Sequence, residues 1–356
     1  MWFGGDAAID RSLDAMTDAA VAAAWKDIYR PPAGVALHPA ALGRLPTRAD
    51  VAVTARALTC AVAAGSKDYF VAHVRRMAHN QADRGAAVFA VAAVVAALRR
   101  FYAEGADPTV TARALPVLDA GLTEAERWAR TGPDADGPDR QSSPSEPPLP
   151  GVDALTDALL AGRIASCRCL VQSALDGGHG CLDVATRLIQ PALYEVGDRW
   201  QQRRITVAEE HGATAVAAAL LAELFAVAPR AEPVGRTALI APVIGNRHVI
   251  GPHMVADAFE LAGWDAHFLG AGVTEDDLFA EIHHRRPDLL GLSVSLLEQV
   301  PMLHRIMRRV RQAFGTASPK IVIGGLATNE MQPLWRWLGA DGWGLDAIAA
   351  IDLEKA

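Results

Sequence analysis

The sequence predicts a multi-domain chain: an all-helical N-terminal part (bundle or globin-like), a four-helix second part, and an α/β third part on five parallel strands. Three observations predict it. Residues 131–150, TGPDADGPDRQSSPSEPPLP, hold six prolines and almost nothing apolar, so no helix or strand is expected to persist there. On either side of that stretch, up to about Gly235, apolar residues recur at helical spacing. Beyond Gly235, short apolar runs alternate with amphipathic stretches, the pattern of parallel strands joined by helices. The expected boundaries are 1–130, a linker at 131–150, then 151–234 and 235–356.

The first helix spans Ala7–Tyr29 and stops at Pro31–Pro32. Thr47 is the N-cap of a second, through Ala63. A third runs from about Lys67 to Asn80 and a fourth from Arg84 to Ala103; Pro108 opens a last one to about Arg130. In the second part the candidates are Val152–Ala161, Arg163–Leu175, Leu182–Gln202 and Val207–Ala226. In the third, strands are expected at Thr237–Val243, Trp264–Leu269, Leu289–Val294, Ile321–Ile323 and near Asp341–Trp343. Helices fall at Pro252–Ala262, Glu275–Arg286, Val300–Phe314 and Met331–Leu338, with a last one through Asp352. Together these make a flavodoxin-like, Rossmann-type unit.

Composition narrows the function. Half the chain is hydrophobic, and the formal charge is −7, so no global positive field exists to hold a nucleic-acid backbone or an acidic membrane face. The most apolar run, Gly85–Leu98, is too short to span a bilayer and is bracketed by Arg84 and Arg99. Asp6 and Asp10 stand where a secretory leader carries basic residues, so the expected location is the cytoplasm. The four cysteines, Cys60, Cys167, Cys169 and Cys181, are read as thiols of a reducing compartment.

In an open parallel sheet, ligands sit beyond the carboxyl ends of the strands. Three loops qualify: Gly245-Asn246-Arg247-His248-Val249-Ile250-Gly251, Ser293-Val294-Ser295 and Gly324-Gly325. His248 offers a neutral nitrogen to a metal, with Asn246 or Ser293 orienting the ring through its other nitrogen. The paired glycines let a bulky group approach the main chain.

This constellation resembles the cobalamin-binding domain family, whose pattern is Asp-x-His-x-x-Gly, then Ser-x-Leu, then Gly-Gly. The resemblance implies His248 as lower axial ligand of cobalt, Gly251 beside it, and a slot for the nucleotide tail lined by Ser293, Ser295, Gly324 and Gly325. Asn246 replaces the usual acid, which implies weaker donation to cobalt, and Ser295 replaces a leucine.

In the second part Trp200 lies eleven positions before His211, which follows Glu210. This Trp-x9-Glu-His arrangement resembles the cap of the light-sensing B12 repressors, where it covers the upper face of adenosylcobalamin. The residue after the tryptophan in that family is a histidine that takes the upper cobalt position after illumination; here it is Gln201. No basic recognition helix appears in residues 1–130, so direct nucleic-acid binding is not expected. The arrangement of helical domain, linker, cap and B12 domain resembles the photocobilins, which implies a bilin such as biliverdin beside B12. Arg75, Arg76, His79 and Arg84 are the candidate bilin contacts, offering cations to its propionates.

The leading reading is a light sensor that is not itself an enzyme, a homodimer with a downstream protein partner and no membrane or direct nucleic-acid contact. Two alternatives stay open: a corrinoid methyl carrier of a methyltransferase system, and a B12-dependent antirepressor acting by protein contact.

Overall fold

A computed structural model describes residues 7–29, 46–63, 65–83, 90–131, 146–202, 204–329 and 334–354. The chain divides into two units, 1–140 with Leu296–His304, and 141–295 with Arg305–Ala356.

The first unit is helical: α1 Ala7–Ile28, α2 Arg48–Ala63, α3 Lys67–Asp83, α4 Ala90–Gly105 and α5 Pro108–Thr131. Thr47 starts α2 as expected. Its Oγ1 accepts from the Asp50 N–H at 3.2 Å while Asp50 accepts from the Thr47 N–H at 2.6 Å, a reciprocal capping box. Tyr69, Phe70, Leu58, Leu98, Tyr102 and Leu118 form the buried centre. Residues 84–89, where the fourth helix was expected to begin, lie outside the described residues, as does most of the proline-rich stretch.

The second unit opens with a helical cap: α6 Val152–Leu160, α7 Ile164–Asp176, α8 Cys181–Val184, α9 Gln190–Gln201 and α10 Val207–Ala226. A π-helical turn, Ala185–Ile189, joins α8 to α9, so the single helix expected over Leu182–Gln202 carries one wider turn. Leu155, Leu159, Leu188, Ile189 and Leu220 are buried in one core with Leu149, which lies inside the stretch read as linker and is 4% exposed. The physical reason is that Leu149 is the one large apolar side chain among those prolines, and the cap offers it a place out of water.

The five-stranded sheet follows, in the order β2-β1-β3-β4-β5, all parallel: β1 Thr237–Pro242, β2 Asp265–Phe268, β3 Leu289–Ser293, β4 Lys320–Gly324 and β5 Gly342–Gly344. The crossovers are α11 Ile250–Leu261, α12 Glu275–Arg285, α13 Val300–Phe314, the short α14 Leu326–Asn329 and α15 Leu334–Leu338; α16 Ala347–Asp352 closes the chain. This is the expected doubly wound arrangement. The inner strands β1, β3 and β4 are almost wholly buried, as helices on both faces require. At their amino ends the sheet is fastened by carboxylates. Glu354, whose side chain is 6% exposed, pairs with Arg236 at 2.8 Å and Lys320 at 2.6 Å. Asp288 accepts from the Thr237 N–H at 2.8 Å, and Asp341 from the Ile321 N–H at 2.6 Å.

Candidate functional site

The loops predicted to carry chemistry all leave the carboxyl ends of β1, β3 and β4. Strand order puts β1 beside β3 and β3 beside β4, so the three loops are neighbours. Asn246 is the hinge of the site. It is 1% exposed, and its Nδ2 donates to the Ser293 carbonyl and to Ser295 Oγ, each at 3.2 Å. A carbonyl only accepts, so the amide orientation is fixed, with Oδ1 turned the other way. That oxygen accepts from the His248 backbone N–H at 3.0 Å and faces His248 Nδ1 at 2.9 Å. Nδ1 therefore carries the proton, and Nε2 keeps its lone pair. His248 is exposed.

The sequence left Asn246 and Ser293 as alternatives for orienting the ring; the structure selects Asn246. Ser295, which stands where the family pattern has a leucine, takes a hydrogen bond from the Asn246 amide. Gly325 has φ +95°, and a Cβ there would meet the Val294 carbonyl oxygen at 2.5 Å and Ser293 Oγ at 2.9 Å. Gly324 pairs with Ser293 on one side and Gly344 on the other. Gly251 sits in the first turn of α11, where an added Cβ would meet nothing within 4 Å. A single imidazole with a directed Nε2 suits a metal that brings its own equatorial ligands, as a corrin does. Among the described residues no group of three or more His, Cys, Asp or Glu could hold a bare ion.

The cap residues lie on α9 and at the start of α10. Thr206 begins α10 with a capping box, its Oγ1 accepting from the Glu209 N–H at 3.2 Å and Glu209 accepting from the Thr206 N–H at 2.7 Å. That box sets Glu210 and His211 in the first two turns. Glu210 bridges them to the helix, meeting His211 Nδ1 at 2.5 Å and accepting from Thr214 Oγ1 at 3.0 Å. Trp200 is 45% exposed near the end of α9 and, among the described residues, stacks on no other ring. Gln201 lies on the same helix, its side chain outside the described residues.

Spacing gave no sign of other residues here. Gln190 Nε2 donates to Tyr194 Oη at 2.8 Å on α9. Asn329, 3% exposed, donates to the Leu345 carbonyl at 2.7 Å and accepts from Trp343 Nε1 at 3.0 Å, tying the loop after β4 to β5.

The bilin candidates lie on α3 of the first unit. Arg75 Nε pairs with Glu124 at 2.8 Å, and Arg127 meets the same carboxyl at 2.7 Å. The hydrogen bonds from Arg127 and then Arg75 hold Glu124 down at about 2 despite its burial. Arg75 is thus already engaged. Arg76 and His79 are half-buried, and Arg84 lies outside the described residues.

Two family models match this chain, both described as B12 binding domain, over residues 236–352 and 152–224. The chain carries B12-binding domains. The HTH-type transcriptional repressor CarH of Myxococcus xanthus is 28% identical over 67% of this chain and 76% of its own. Monomethylamine corrinoid protein 1 of Methanosarcina mazei is 28% identical over 57% of this chain and 93% of its own. The solved monomethylamine corrinoid protein of Methanosarcina barkeri aligns with 58% of this chain and 98% of its own at 22% identity, with a TM-score of 0.49. The two matched segments cover the cap and the sheet, so the B12-binding domains contain Trp200, Glu210 and His211 in one and Asn246, His248 and the glycines in the other. In the described residues no helix is long and apolar enough to cross a membrane.

Proposed function

We propose that this chain is a light sensor that holds adenosylcobalamin with His248 below and Trp200 above. The observation that carries the reading is His248 held by Asn246 through Nδ1, which leaves Nε2 for a ligand, in the same unit as an exposed Trp200. When bound, adenosylcobalamin supplies a cobalt–carbon bond that visible light breaks. The protein's part is mechanical. Asn246 aims His248; Gly324 and Gly325 leave room along Ser293 and Ser295; Trp200, Glu210 and His211 cover the opposite side. A void opened beneath Trp200 would be answered by rearrangement of the packed cap, since packed interiors respond to voids by shifting. Similarity to a repressor over two thirds of the chain supports a regulatory role. In this reading the helical unit holds a biliverdin-type bilin near Arg75, Arg76, His79 and Arg84. The chain works as a cytoplasmic homodimer, catalyses nothing itself and passes its state to a protein partner rather than to nucleic acid.

Similarity to monomethylamine corrinoid proteins favours a second reading, a corrinoid methyl carrier. One experiment separates them. Purified protein is mixed with adenosylcobalamin and then biliverdin, and spectra are taken in the dark and after illumination. A light-dependent cobalamin spectrum that shifts in His248→Ala is expected. A bound cobalamin indifferent to light, with turnover on a methyl donor, overturns the sensor; an unchanged bilin spectrum on mixing removes the second chromophore.

A further inference from the structure

The π turn at Ala185–Ile189 has a cause in the sequence four residues on. In an α-helix the Arg187 carbonyl accepts from the N–H of residue 191, and residue 191 is proline. The ring offers no N–H and crowds that carbonyl, so the helix widens into a π turn. The Arg187 carbonyl accepts instead from the Leu149 N–H at 2.8 Å, a donor from outside the helix. The Arg187 side chain reaches back over the same stretch. Its Nε donates to the Pro147 carbonyl at 3.0 Å, and its Nη1 pairs with Glu146 at 2.5 Å. Leu149 itself is buried in the cap core with Leu188. Four independent contacts thus fasten residues 146–149 to one turn.

Beyond that turn the helix runs without interruption through α9 to Trp200. A π turn holds one residue more than an α turn, and each residue turns an α-helix by about 100°. Adding or removing the extra residue therefore re-aims everything after it. We propose that Arg187 is a positioning residue: together with Leu149 it fastens the end of the proline-rich stretch to the cap and fixes the rotational register of α9, and hence the direction of Trp200. By linkage, cobalamin under Trp200 then tightens the fastening. The step from Trp200 to cobalamin rests on the reading above; the fastening itself does not.

The test is Pro191→Ala, which gives the helix back its missing donor and favours helix formation locally. Hydrogen exchange on the cofactor-free protein is the first readout. The Leu149 amide is expected to be protected in the parent and to exchange about tenfold faster in Pro191→Ala and Arg187→Ala, the loss of about one net hydrogen bond. Equal exchange in all three overturns the fastening. The second readout is hydroxocobalamin binding followed by absorbance. Both variants are expected to bind several-fold more weakly than the parent, with circular dichroism unchanged, and cobalamin is expected to slow Leu149 exchange in the parent. Affinity equal to the parent, with Leu149 exchange accelerated, overturns the control of Trp200. A parent that binds no cobalamin fails the light-sensor reading and, with it, the link to Trp200, while the exchange result still decides the fastening.

Discussion

The Asn246 side chain stands between His248 and Ser295, its Oδ1 2.9 Å from His248 Nδ1 and its Nδ2 3.2 Å from Ser295 Oγ. One neutral amide therefore sets the tautomer of the imidazole and couples the loop after β1 to the loop after β3. Partners that orient a ligating histidine typically change metal affinity by about 10–100-fold when removed. Asn246→Ala is expected to weaken hydroxocobalamin binding within that range while leaving the melting temperature near that of the parent. Spectral titration checks it; parent-like affinity would show that the imidazole needs no such partner.

Gly325→Ala should damage both fold and site. At φ +95°, with a carbonyl oxygen 2.5 Å from the new Cβ, the loop must move. A destabilisation of about 1–3 kcal/mol is expected, read by thermal unfolding, with cobalamin uptake reduced. A melting temperature unchanged by the substitution would mean that the β3 loop yields freely.

Acid should act on the helical unit through His73. It is 3% exposed, its Nε2 lies 3.3 Å from Thr54 Oγ1, and burial, helped by the Arg76 charge, lowers it to about 4. A base whose folded value lies below its unfolded value stays neutral in the fold while the unfolded chain takes up a proton. Stability is therefore full above about 6.5 and declines as pH falls through the window to about 4. His73→Gln is expected to flatten urea-midpoint dependence across that window. A parent with no slope there would contradict the assignment. Glu124, held at about 2, adds a further loss only below its ordinary value of 4.5.

Thr206→Ala removes the side-chain cap of α10 and should cost about 1 kcal/mol. The first two turns, with Glu210 and His211, are expected to exchange their amides faster than the rest of the helix. Uniform exchange along α10 would place the control of those turns elsewhere.

Much of the architecture was legible because local signals and tertiary demands agree. Thr47 and Pro108 mark helix starts in the sequence and in the structure, and the change of period after Gly235 marks where strands begin. That His248 and the paired glycines lie on neighbouring loops was legible from the order of strands the pattern implies. Ser295 as a partner of Asn246 was not, since the two are far apart in sequence and serine makes many bonds. The π turn was readable in principle: Pro191 removes one donor from a helix that otherwise shows no break. What the sequence could not reveal is which outside N–H fills the gap, because Leu149 lies among prolines that argue for no packing at all. The ion pair of Arg75 with Glu124 was not legible either, since it joins α3 to α5 and no spacing rule predicts it.

The carboxylates of Glu354, Asp288 and Asp341 stiffen one rim of the sheet, while the opposite rim ends in loops. The sheet is thus anchored like a keyboard, with its keys free only at the ligand's edge. At that opposite rim the loop after β1 is joined to the loop after β3 through Asn246, which meets both His248 and Ser295. Loosening the anchored rim, by neutralising Glu354, would soften the whole platform and blur a response that depends on everything else standing still.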